Sequence, residues 1–72
     1  MRNLEHTTDI TEGAATEAIF DACRANPESE TRKVGDYTVS FGIFSNGREH
    51  EAAVRNSEGT VVALAIVDEF DA

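Results

Sequence analysis

The chain has 72 residues, which suits one domain and leaves no room for a second core. Fourteen acidic against six basic residues leave a net charge of -8, a surface that repels phosphate backbones and argues against direct nucleic-acid binding. The lone cysteine, Cys23, rules out an internal disulfide, and no His/Cys spacing suggests a structural metal.

Residues 1–8 lack periodicity and are expected to fray or to add a short edge segment. They contain no signal-peptide apolar run, and no stretch approaches a membrane span, so a soluble, cytoplasmic protein is expected. Asp9 followed by Glu12 reads as a helix N-cap with its capping-box partner, Thr11 being the alternative cap. Ala15, Ala18, Ile19, Ala22 and Cys23 then recur at helical spacing, with Phe20 widening the stripe and Glu17, Asp21 and Arg24 opposite. Asn26-Pro27 ends the pattern, because the residue before proline is pushed out of the α region. The spacing predicts a helix over Asp9–Ala25.

The polar run from Glu28 to Lys33 reads as a loop, and Gly35-Asp36 breaks whatever begins at Val34. Tyr37, Val39, Phe41 and Ile43 alternate with Thr38, Ser40, Gly42 and Phe44, the period of a half-buried strand. Asn46-Gly47 is a strong hairpin signal. A two-residue loop there pairs Ile43 with His50, Phe41 with Ala52 and Val39 with Val54. The next connection, Asn56-Ser57-Glu58-Gly59-Thr60, suits a three-residue loop with glycine in the left-handed region. That loop pairs Val54 with Val62, Ala52 with Leu64 and His50 with Ile66. A two-residue loop would pair Val54 with Ala63 and turn Leu64 outward, burying less apolar area. The expected fold is therefore α+β, with one N-terminal helix on a three-stranded antiparallel meander. Its core comprises Tyr37, Val39, Phe41, Ile43, Ala52, Val54, Val62, Leu64 and Ile66 under the helix stripe. Residues 68–72 form an acidic tail.

Candidate chemistry is sparse. Cys23 and His50 both fall on core-facing positions, so a nucleophile and base are conceivable. Against this, cysteine often packs as a small hydrophobe, and no helix N-terminus or basic neighbour is expected to activate this one, which lies near a helix C-terminus that disfavours a thiolate. A rim histidine bonded to a carboxylate or to the backbone is the plainer reading of His50. Glu49-His50-Glu51 alternates faces on a strand and cannot chelate one ion, and the five glycines match no phosphate-binding loop. The expectation is a non-enzymatic protein without metal or cofactor.

The predicted outer face carries Glu49, Glu51, Ala53 and Arg55 beside Val61, Ala63, Ala65 and Val67. A strand apolar on both faces normally has cover on both, from a partner chain, a homodimer through this face or an edge, or the termini with Phe70. Glu49 and Glu51, with Asp68, Glu69 and Asp71 near one another, place an acidic rim beside that strip. In size, acidity and absence of cofactor motifs the chain resembles small phage-encoded inhibitors of the anti-CRISPR and DNA-mimic type. The resemblance implies a stoichiometric inhibitor that docks carboxylates on a basic, nucleic-acid-handling protein in the host cytoplasm, and it transfers no particular residue. The alternative reading of the same acidity, with only one lysine in the chain, is a structural or subunit protein of a halophile.

Overall fold

A computed structural model describes residues 1–25, 30–43 and 49–68. The chain runs β1 (Arg2–His6), α1 (Glu12–Ala25), β2 (Thr31–Val34), β3 (Tyr37–Ile43), β4 (Glu49–Arg55) and β5 (Val61–Asp68). The strands form one antiparallel sheet in the order β1-β5-β4-β3-β2. Among the described residues five strands replace the expected three, so the αβββ meander is wrong while the α+β class stands. The two additional strands are the two edges: β1 is the edge segment left open for residues 1–8, and β2 is the one not foreseen.

The helix explains how the edges are connected. Its 14 residues span roughly 21 Å at about 1.5 Å per residue, and four strand spacings of about 4.8 Å come to roughly 19 Å. The helix contacts both β1 and β2, so it carries the chain across the sheet from one edge to the other. Hairpins then bring β5 back beside β1.

The helix begins at Glu12, not Asp9. Thr11 is the cap: its hydroxyl accepts from the Ala14 amide at 3.1 Å, and its carbonyl accepts from the Ala15 amide at 2.9 Å. Asp9 instead donates its own amide to the Thr7 hydroxyl. Ile10, just before the cap, is buried in the core cluster with Ala15, the pairing of positions that sets a helix's entry angle. The predicted stripe is the buried one: Ala15, Ala18, Ile19, Ala22 and Cys23. The Asn26-Pro27 stop lies outside the described residues.

Strand β2 occupies part of the run expected as a loop. Gly35 has φ +60° while Asp36 does not enter the positive region, and Val34 pairs with Tyr37 around them. This is the type II′ pattern, a two-residue turn with glycine first. The strand alternates properly, but its inward residue is Arg32, which disguises the pattern. Strand β1 is disguised differently: Asn3 sits at φ +57° and the register slips by one between Arg2 and Glu5, a bulge that breaks the period of two.

The β3–β4 register is the one expected, with Ile43, Phe41 and Val39 opposite His50, Ala52 and Val54; the Asn46-Gly47 turn itself lies outside the described residues. The β4–β5 register is not. The loop has the expected form: the Asn56 amide donates to the Thr60 carbonyl, the Asn56 side chain accepts from the Glu58 and Thr60 amides, and Gly59 has φ +84°. Beyond it, Arg55 faces Val61 but Val54 faces Ala63. Val62 is the extra residue of a bulge, and both Val62 and Ala63 are buried. The slip puts Ala63, Ala65 and Val67 inside, where Leu64 and Ile66 were expected, and leaves Leu64 and Ile66 half-buried on the outer face. Tyr37 is also only half-buried, whereas Val39, Phe41, Ala52, Val54 and Val62 fill the core as expected.

Candidate functional site

Two polar groups lie beneath the helix. His50 is buried, and its Nδ1 donates to the Gly42 carbonyl at 3.2 Å, the backbone-satisfied histidine expected from sequence. Arg32 is 3% exposed, with its guanidinium 4.7 Å from the centre of the Phe41 ring, a cation–π contact on a desolvated face. Desolvation lowers the Arg32 pKa from the usual arginine value, and its electrostatic interaction with Cys23 opposes that shift. Arg32, on a strand where the sequence predicts a loop, is thus a basic neighbour of Cys23. The thiol is nevertheless buried, out of reach of a substrate. Among the described residues no group of three His, Cys, Asp or Glu side chains is placed to hold a metal ion, and no helix is long and apolar enough to cross a membrane.

The outer sheet face is organised around β5. Along that strand run Val61, Leu64, Ile66 and Asp68, all outside the helix side. On β4 beside them stand Arg55, Ala53, Glu51 and Glu49, paired with Val61, Leu64, Ile66 and Asp68 in turn. On β1, on the other flank, Glu5 faces Leu64 and Arg2 faces Ile66. Three of the five expected partner-binding residues, Glu49, Glu51 and Asp68, therefore do share one end of one face; Glu69 and Asp71 lie outside the described residues. Asp68 sits directly across from Glu49, not merely nearby, because of the register slip. Like charges opposed across strands repel, and Arg2 offsets this by reaching over β5 to form an ion pair with Glu49. At the other end Arg55 donates to the Ser40 hydroxyl at 3.2 Å.

The sequence reading missed Leu64, Ile66, Arg2 and Glu5 on this face. The first two were assigned to the core. The last two belong to a strand whose only local signal was Leu4 between polar residues.

The fold and this face together define an α+β protein whose antiparallel sheet has a helix on one side and, on the other, a half-apolar, acid-flanked surface that no element among the described residues covers; Phe70, expected as cover, lies outside them. No family model, curated protein or solved structure matches the chain.

Proposed function

We propose that the chain is a non-enzymatic protein-binding module that docks the carboxylate end of its outer sheet face on a basic, nucleic-acid-handling protein and acts as its stoichiometric inhibitor. One observation carries this reading: Glu49, Glu51 and Asp68 converge beside the half-exposed Leu64 and Ile66. Apolar contact supplies affinity there, and the carboxylates supply orientation and association rate. The net charge of -8 attracts a cationic partner over a Debye length of about 8 Å at physiological salt.

Purified histones bound to duplex DNA provide a probe. The chain is expected to displace the DNA, and the double variant Glu49→Lys, Glu51→Lys to do so with an association rate lower by a factor on the order of ten and a flatter salt dependence. Equal displacement by the variant, or none by the wild type, would sink the reading.

The distribution of charge favours a second reading, the acidic protein of a halophile. Exposed carboxylates also stand outside the carboxylate end of the outer face, at Asp9, Glu12, Glu17, Glu30, Asp36 and Glu58. Screening of self-repulsion is largely complete near 0.15 M salt, where the Debye length is already about 8 Å. A melting temperature that keeps climbing into molar potassium chloride is the expected mark of this second reading, and a plateau counts against it.

A further inference from the structure

The strip along β5 has the dimensions of a helix. Glu5 on β1 and Glu51 on β4 flank it on opposite sides, two strand spacings, about 9.6 Å, apart across the sheet and offset along it, Glu5 level with Leu64 and Glu51 with Ile66; a helix with side chains is about 10–12 Å wide. With Val62 bulged out of the pairing, Val61 to Ile66 spans the four steps from Arg55 to Glu51, about 13 Å of strand, the length of between two and three helical turns. Apolar floor and acidic walls together match one kind of ligand: a helix with an apolar stripe and basic residues along both margins. A flat strand added at an edge would leave the strip uncovered. A second copy of this chain would bring another -8 of charge.

We infer that the β5 strip is a docking groove for a basic amphipathic helix of the partner protein, with Leu64 and Ile66 as its floor and Glu5 and Glu51 as its walls. The inference rests on the docking function proposed above and adds the form of the partner. Arg2 occupies one end of the groove: it is bound to Glu49 across β5 while its side chain stays 54% exposed. A lysine or arginine of the incoming helix takes over that carboxylate, so Arg2 acts as an internal competitor.

The test uses the full chain and a synthetic helical peptide of about 14 residues, roughly 21 Å long, with leucines at i, i+3/i+4 and i+7 and arginines on both flanks. A control peptide has the same composition with prolines at two central positions. Binding is followed by fluorescence anisotropy, and the site by amide chemical shifts. The helical peptide is expected to shift β1, β5 and β4 residues. Leu64→Asp is expected to weaken it at least tenfold, and Glu5→Gln and Glu51→Gln a few-fold each. Arg2→Gln is expected to tighten it a few-fold, a change that loss of folding does not produce. Equal binding of the proline peptide overturns the helical mode while leaving the basic-partner reading intact. Absence of binding by either peptide, or shifts confined to the helix side, overturns both. A dimer in sedimentation equilibrium that Leu64→Asp dissociates identifies a second copy as the occupant and overturns the inference.

Discussion

Ala65→Asp is expected to unfold the protein, whereas Leu64→Asp, one residue away, leaves it folded. Ala65 is 2% exposed beneath the helix, opposite Ala52. A carboxylate there enters the buried cluster of alanine, valine and isoleucine side chains, with Ala52 directly opposite. An unpaired charge in such a place, together with the added volume, costs about 4 kcal/mol or more. The whole stability expected of 72 residues is on the order of 4–11 kcal/mol at roughly 0.05–0.15 kcal/mol per residue. At Leu64 the side chain points to the open face and its replacement remains hydrated, so the loss is held to about 1 kcal/mol of strand preference and partial burial. Urea titration followed by circular dichroism decides the matter. The register expected from sequence makes the opposite forecast, with Leu64 in the core and Ala65 outside, so an intact Ala65→Asp protein beside an unfolded Leu64→Asp protein would restore it.

The second large effect is at Ile19, which is fully buried at 0% exposure and is one of only a few sizeable side chains in the core. The core cluster it belongs to contains Ala15, Ala18 and Ala22 from the helix and Ala52, Ala63 and Ala65 from the sheet, beside Val39, Phe41, Val54, Val62 and Val67. Short side chains let the helix lie close on the sheet. They also have no length with which to fill a hole, so the cavity left by Ile19→Ala cannot collapse. The expected loss is about 3–4 kcal/mol, toward the upper part of the range for such truncations, with a fall in Tm of roughly 10–30 °C for a domain of this size. A loss below about 1 kcal/mol would mean that Ile19 is not the knob that seats the helix.

Both forecasts depend on features that differ in how far the sequence announces them. The helix stripe and β3 are legible because each is a regular repeat of apolar residues at a single period. The β3–β4 pairing is legible for the same reason, and the Asn46-Gly47 signal agrees with it. The Asn56–Thr60 loop was also readable, down to the left-handed Gly59. The edge strands were less so, β1 being legible only as one of two options and β2 not at all, since each carries an exception at the position that defines it. In β2 the inward residue is Arg32, whose burial depends on the Phe41 ring below it. In β1 the period is interrupted at Asn3. The Gly35-Asp36 turn between Val34 and Tyr37 was nonetheless a hairpin signal of the standard glycine-first kind, and it was read only as a break.

The acidic face shows the same division. That Glu49 and Glu51 lie together follows from their spacing on one strand. That Asp68 faces Glu49, with Leu64 and Ile66 beside them, follows from a single extra residue at Val62.

Sequence alone determined the class of the fold, the buried stripe of the helix, one strand pairing and the sign of the surface charge. All four are local repeats or sums, which need no knowledge of neighbours. Only the tertiary structure decided the number of strands and the side of β5 that faces water. A bulge is chosen by how the whole strand packs: the slip lets three small residues pass under a close-lying helix and sends leucine and isoleucine outward, an outcome that side-chain size at the helix–sheet interface governs and local periodicity does not.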